Sequence, residues 1–400
     1  MSSDELPVIV LRKRRAQPFL NRHPWLFAGA IHRVEGEPAD GDEVVVRSDE
    51  GHFVARGLFN SQSNIRVRLY SWHEEQPIDE TLLRSRIDAA VSLRDGLFDG
   101  DENSACRLIF SEADGLSGLT VDRYGDWLLV QLTSLALATR SETIFDLLQD
   151  RCQPRGIWLR TEKGIRKLEG LEQSDGLIRG DEPPRPIRIR ENGLTFLVDV
   201  ASGQKTGSFL DQRDNRRAAA GYVRGGSVLD LFCYAGGFGI TAAKLGDAQS
   251  VVCVDSSEPA LETARLNATE NGVADRIEFV RSDVFRFLEA AIESGQQFDT
   301  VVLDPPKMAR QQKGVDSALR GYRSLNELAA QVVRPGGTLV TCSCSGHVSR
   351  SEFQSVLARV STTLDRPIQI LEVRGHAPDH PVSPNCPESE YLKCLICRIA

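Results

Sequence analysis

From about residue 188 onward the chain repeats one pattern, a short β-rich run followed by a stretch with helical spacing. The runs are SVLDLF (227–232), SVVCVD (250–255), RIEFV (276–280), FDTVVLD (298–304) and GTLVTCS (337–343). A helix between two strands carries the chain back to start the next strand in the same direction, so this order imposes a parallel sheet covered on both faces. The intervening EPALETARLNATEN shows how such a helix is bounded. Ser256 or Ser257 can cap it, Pro259 suits its first turn and Gly272 its end. The fold expected here is α/β and Rossmann-like.

The rest of the 400 residues has a different texture, and a chain this long divides into two or three domains. Residues 1–74 read as short strands. In NIRVRLYSW (64–72), Ile65, Val67 and Leu69 alternate with Arg66, Arg68 and Tyr70, which sets both arginines on one face. DEVVVRS and HFVARGLF, divided by Asp49-Glu50-Gly51, read as a hairpin, and the whole as a small β barrel. Residues 75–187 combine a helix over 81–98, strands at 107–110, 118–122, 127–132 and 157–160, and a helix near 141–152. This is a compact α+β unit, closed by the Pro-rich linker DEPPRP (181–186). The third domain then spans 188–400.

With 41% hydrophobic and 26% charged residues the chain reads as soluble and globular. A net charge of -8 argues against general affinity for nucleic acid. The total hides a local cluster, however: Arg12, Lys13, Arg14, Arg15, Arg22 and Arg33 stand against only Asp4 and Glu5. Nine cysteines without a disulfide-like spacing fit a reducing compartment. No leader-like start and no run of 18 apolar residues is seen, so no membrane partner is expected and the location expected is the cytoplasm.

VLDLFCYAGGFG (228–239) is a buried strand entering a Gly-rich turn that holds Tyr234. Gly236, Gly237 and Gly239 let the backbone turn sharply and approach a ligand. Asp255, at the end of the next strand, is placed for a ribose diol, and Asp283, after the third, for an adenine edge. The loop is A-G-G-F-G rather than G-x-G-x-x-G, and Asp230 precedes it. An acid there suits a charged ammonium group, which a pyrophosphate cofactor lacks, so S-adenosylmethionine is the expected cofactor.

FDTVVLDPPK ends its strand with Asp304-Pro305-Pro306-Lys307, at the sheet edge where α/β proteins bind ligands. The following strand ends in TCSCSG (341–346). Thiolate attack on C6 of a pyrimidine makes C5 nucleophilic enough to take a methyl group, and it needs a lowered thiol pKa or a nearby base. Lys307 would favour such a thiolate and Asp304 would steady the protonated N3. Alternate strand residues share a face, and Cys344 lies nearer the strand's end than Cys342. Cys344 is therefore the expected nucleophile, with Cys342 packed as a small hydrophobe. Cys394 and Cys397, three apart on a strand, point to opposite faces, so no metal site is expected. Cys106, Cys152, Cys233, Cys253 and Cys386 are read as structural, and His380 as a surface or rim residue.

At this point the chain resembles a known family, the three-domain, S-adenosylmethionine-dependent RNA cytosine-5 methyltransferases that act on large-subunit ribosomal RNA. The matching segments are NRHPWLFAGAI (21–31), SEADGLSGLTVDRYGDWLLVQ (111–131), QKTGSFLDQRDNR (204–216), VLDLFCYAGGFG, DPPK and SCSG. The resemblance implies an N-terminal PUA domain for RNA, a central α+β domain and a Rossmann-like catalytic domain. It also implies that Phe209 and Asp211 lie near the methyl donor and that the motif cysteine is Cys344. Met308 departs from the family's usual Phe, and Lys307 stands where other cytosine-5 enzymes carry a second cysteine. The base that releases product is thereby left unassigned, and a homodimer is admitted.

Two rivals stay in view. A guanine N-methyltransferase on a similar sheet needs no thiol and usually carries Asn-Pro-Pro with an aromatic residue. A catalytically silent RNA-binding assembly factor would not need Asp230, Asp255, Asp304 and Cys344 together.

Overall fold

The structure is a computed structural model that describes residues 6–98, 104–161, 163–200, 207–309 and 311–400. In the N-terminal part, Glu43–Arg47 and Phe53–Phe59 form the antiparallel hairpin that their alternation predicts, with Val44 opposite Gly57. They belong to a six-stranded sheet whose core is Ile9, Leu11, Leu26, Val44, Val46 and Val67. The polar face of Ile65–Ser71 is not wholly solvated. Arg68 is buried, and its guanidinium donates to Ser117 Oγ at 3.0 Å and to Glu169 Oε1 at 3.3 Å, which ties this sheet to the central region.

The central region is a five-stranded sheet packed against the helices Glu80–Leu97 and Ser141–Cys152. Leu83, Ile87, Ile144 and Leu148 share one core with Leu108, Val121 and Val130. Asp79 starts the first helix by accepting from Leu82 N–H at 2.9 Å. A fifth strand, Gly176–Gly180, and the hairpin Ile187–Glu191 with Leu194–Val198 were not evident from sequence. These are short runs in which glycine and arginine interrupt the apolar pattern.

The C-terminal sheet has seven strands: β1 (Ser227–Leu231), β2 (Ser250–Asp255), β3 (Ile277–Arg281), β4 (Phe298–Leu303), β5 (Val333–Ser343), β6 (Ile368–Arg374) and β7 (Lys393–Ile399). Their spatial order is β3-β2-β1-β4-β5-β7-β6. The first five strands are parallel, and β7 runs antiparallel to its neighbours. Strand order reverses between β1 and β4, so the connections after these strands leave in opposite directions and open a crevice at their carboxyl ends. Leu229, Leu231, Val254, Val301, Leu303 and Leu339 fill one face of the sheet, and Val228, Val251, Cys253, Val302 and Val340 are buried on the other. The helix after β2 runs Glu258–Glu270, capped by Ser257, whose side chain accepts from Ala260 N–H. No helix among the described residues is long and apolar enough to cross a membrane.

Candidate active site

A cavity of about 550 Å³ opens where β1, β2, β4 and β5 end. Its floor is the turn after β1. Phe232, Tyr234 and Gly236 there have φ of 60°, 50° and 79°, so the chain reverses within a few residues. Two main-chain donors fix Asp255 beside it: Tyr234 N–H reaches Oδ2 and Ser257 N–H reaches Oδ1, each at 2.9 Å. Gly237 and Gly239 are glycine for lack of room. A Cβ on Gly237 would stand 2.6 Å from Arg216 Nε, and one on Gly239 would stand 2.5 Å from Cys253 Sγ.

The structure places Asp230 under this turn, outside the cavity lining. Its Oδ2 accepts from Gly239 N–H at 2.8 Å, while Oδ1 has no hydrogen-bond partner among the described residues. Burial, opposed by the Gly239 hydrogen bond and joined by Asp304 and Asp255, pushes its carboxyl up to about 7. Asp230 thus braces the turn from outside the described lining. Asp283 is exposed and caps the helix Val284–Glu293 by accepting from Arg286 N–H at 3.2 Å; it too lies outside the lining.

The roof comes from residues 207–216, while residues 204–206 of the same motif lie outside the described residues. Phe209 packs edge-on against Tyr234 with ring centroids 5.3 Å apart. Arg216 donates to Phe209 O at 3.0 Å and to both oxygens of buried Glu191 at 2.6 and 2.8 Å. Asp211 accepts from Tyr391 O–H at 2.5 Å. Glu191 and Tyr391 belong to runs with no motif of their own, and Arg216 ends the matching segment 204–216 without a role that the sequence assigns it.

At the far end, Asp304 follows β4 and Cys344 follows β5 directly, and both line the cavity with Lys307. Cys344 is half-buried, its Sγ 3.9 Å from Pro305 O. Ser345 locks the two loops together: its Oγ accepts from Met308 N–H at 3.2 Å and Ala309 N–H at 3.1 Å, and lies 2.9 Å from Tyr322 Oη. Cys342 is fully buried, opposite Cys394 and packed with Phe238 and Val302. The hydrogen bond with Cys394 and burial push the Cys342 thiol well above its ordinary range. The two thiols that look alike in TCSCSG therefore differ sharply in environment.

One expectation is corrected outright. His380 is 2% exposed, and Asp379 beside it is fully buried. Arg213 donates to both Asp379 oxygens at 3.2 and 3.0 Å, Arg107 N–H to Oδ2 at 3.0 Å, and Arg94 to the Asp379 carbonyl at 2.8 Å. This loop is an internal junction and not a rim. Its pairing with distant arginines has no local signal in the sequence.

His23, Cys386 and Glu388 bring one metal-ligating atom each within 4.8 Å of one another. His23 Nδ1, however, accepts from Trp25 N–H at 3.2 Å, which leaves the ring proton on Nε2 to face Glu388 at 3.3 Å. Coordination through Nε2 would need the opposite tautomer.

The charge of the cavity decides between cofactor classes. Among the described residues four carboxylates line it, from Glu191, Asp211, Asp255 and Asp304, against Arg216 and Lys307, and Arg216 is already engaged by Glu191. Such a lining fits a cationic ligand and not a pyrophosphate. Residues 173–387 match the model of the S-adenosylmethionine-dependent methyltransferases. The chain belongs to that family. A PUA-like domain model matches residues 9–72 of this methyltransferase. Two proteins called ribosomal RNA large subunit methyltransferase I are similar to it over nearly their whole length. That of Aeromonas hydrophila is 43% identical over 98% of both chains. That of Photobacterium profundum is 42% identical over 98% of this chain and 99% of its own. A solved structure from Streptococcus mutans, provisionally described as a SAM-dependent methyltransferase, shares the fold at a TM-score of 0.84. It is 20% identical over 98% of this chain and 99% of that one. The methyltransferase's cofactor is S-adenosylmethionine, and the acid-rich, glycine-floored cavity fits it.

Proposed function

We propose that this methyltransferase modifies C5 of a cytosine in large-subunit ribosomal RNA through a covalent adduct at C6. The observation that carries the reading is Cys344, a half-buried thiol just past the end of β5, in one cavity with Asp304 and the glycine turn. The names of the relatives support ribosomal RNA as the substrate. The rival guanine chemistry has no use for that thiol.

In this reading Cys344 Sγ bonds to C6, and the ring's electron pair moves to C5. Asp304 holds the N3 edge and shares its proton, so the adduct's charge is met by a carboxylate. When bound, the sulfonium cofactor supplies an electrophilic methyl group. Phe209, Asp211, Tyr234 and Asp255 surround the donor's place, Gly236, Gly237 and Gly239 shape the turn, and Asp230 braces it. Asp283, just past β3 and outside the cavity lining, is assigned the adenine edge in this reading. A base then takes the C5 proton as the C6–S bond breaks and returns the thiolate. Pro305 and Pro306 stiffen the loop that presents Asp304.

The PUA-like sheet supplies a docking surface in Arg12, Lys13, Arg14 and Arg15, all exposed. Affinity for RNA falls as salt rises. Nine free cysteines suit the reducing cytoplasm. Mapping 5-methylcytidine across ribosomal RNA from cells with the gene, without it, and with Cys344→Ala tests the reading. One site is expected to vanish in the second and third cases. A methylguanosine that vanishes instead would overturn it.

A further inference from the structure

Lys393 of β7 is 2% exposed, an unusual place for a lysine. Its Nζ donates to Ser345 O at 2.6 Å and to Tyr391 O at 2.9 Å. Ser345 directly follows Cys344, and Tyr391 holds Asp211 through its hydroxyl, so one ammonium spans two sides of the cavity. Both acceptors are neutral carbonyls, and a buried cation needs an anion nearby. Cys344 and Glu390 favour the charge on Lys393, and Lys307 and Arg350 oppose it. Burial pulls the amine down to about 8, which still leaves it mainly protonated at neutral pH. Among the described residues, Asp304 and Lys307 share the cavity lining with Cys344, one carboxylate against one exposed ammonium, and Tyr322 and Tyr391 also face the thiol. Burial holds both phenols above their ordinary range, so they stay neutral.

We propose that Lys393 is a positioning residue for the covalent step: through the Ser345 carbonyl it fixes the Cys344 loop, and its ammonium supplies the unscreened charge that favours the Cys344 thiolate. The DPPK motif offers Lys307 as another source of that charge. Lys307 is exposed, and water and salt weaken an exposed charge far more than a buried one. The inference rests on Cys344 being the nucleophile.

The test is the pH dependence of Cys344 alkylation by iodoacetamide in the full chain. Fragmentation mass spectrometry localises the label, since Cys342 shares the tryptic peptide. Lys393→Met is expected to raise the midpoint by about one pH unit and to slow alkylation at neutral pH about tenfold. Lys393→Arg is expected to keep the midpoint, and Lys307→Met to move it by less than about 0.3 unit. A wild-type midpoint in a folded Lys393→Met protein, or a larger shift in Lys307→Met, overturns the proposal. The unaltered protein gives a second arm that does not depend on a variant folding. Raising salt to about 1 M should barely move its midpoint, and a rise near one unit would implicate an exposed cation instead. If Cys344→Ala kept cytosine methylation, the functional reading would fall while these titrations still reported on the thiol.

Discussion

Asp255, Asp304 and Cys344 stand at a strand end or one residue past it, and Asp255 is fixed by main-chain donors 21 and 2 residues away. Asp379 is fixed by Arg213 and Arg107, which lie 166 and 272 residues away. The strand-tip wall gets its precision from a rigid sheet, so it can leave a thiol and carboxylates reachable. The junction behind the roof gets its precision from buried charges drawn from separate segments. There each ion depends on its partner, because an unpaired charge in that place is costly. Damage to the first wall should therefore appear as lost chemistry, and damage to the second as lost stability.

The largest expected effect belongs to the strand-tip wall. Cys344→Ala should lower 5-methylcytidine formation by about ten-thousandfold or more, with an unchanged melting temperature. Cys342→Ala, two residues earlier, should do the reverse. It should keep activity within about threefold and lose about 1–2 kcal/mol from the small cavity left beside Cys394 and Phe238. Equal loss of activity in both variants would erase the distinction between a reacting and a packed thiol.

At the junction, Asp379→Ala should cost about 3–5 kcal/mol in urea unfolding, since it leaves the guanidinium of Arg213 buried with only the exposed Asp214 carboxylate at 3.3 Å beside its Nε. Arg213 is 1% exposed and stacks on Phe98 with its Cζ 4.2 Å from the ring, so it has no route to water without local unfolding. A pH dependence should accompany this. Burial alone would raise the Asp379 carboxyl, but the hydrogen bond and charge of His380, then Arg213 and Arg107 N–H, hold it well below the usual range. A depressed folded-state pKa gives stability that is complete above the unfolded value of about 3.9 and is lost as pH falls below it. Urea midpoints measured at about pH 6 and pH 3 should differ more in the wild type than in Asp379→Asn. Parallel losses would show that the junction does not titrate through this group.

The same contrast explains what the sequence disclosed. The parallel sheet, the glycine turn, DPPK and SCSG were legible because each is a local pattern: one strand, its turn and the next cap. Even the separation of Cys342 from Cys344 follows from their order along one strand: both share a face, and Cys344 lies past the strand's end. The roles of Asp230 and Asp283 were only half legible. Position at a strand end fixes where a carboxylate starts, but not whether it turns toward the cavity or back to a helix N–H. The buried pairings of Arg213, Arg216, Lys393 and Asp379 leave no trace in the sequence, since the partners that justify burying them lie on other elements. His380 reads as a rim residue for that reason: a loop rich in Pro, Asp and His looks solvated without its arginines.

The smallest expected effect lies where the two walls touch. Gly237 opens the helix Gly237–Leu245 on the strand-tip side, and Arg216 belongs to the opposite wall. A Cβ at 237 would meet Arg216 Nε at 2.6 Å and Cζ at 2.9 Å. The φ of Gly237 is not in the left-handed region, so alanine is acceptable to the backbone there and the contact alone is tested. To relieve it Arg216 must shift, and it cannot do so without loosening its bonds to Glu191 and to Phe209 O, on which the roof depends. Gly237→Ala should therefore weaken S-adenosylmethionine binding by about fivefold to tenfold in calorimetry, equivalent to about 1 kcal/mol. Urea stability should fall by less than that caused by Asp379→Ala. Wild-type affinity in this variant would mean that the arginine moves freely and that the walls are independent. A loss of stability without a loss of affinity would place Arg216 with the junction instead of the cofactor.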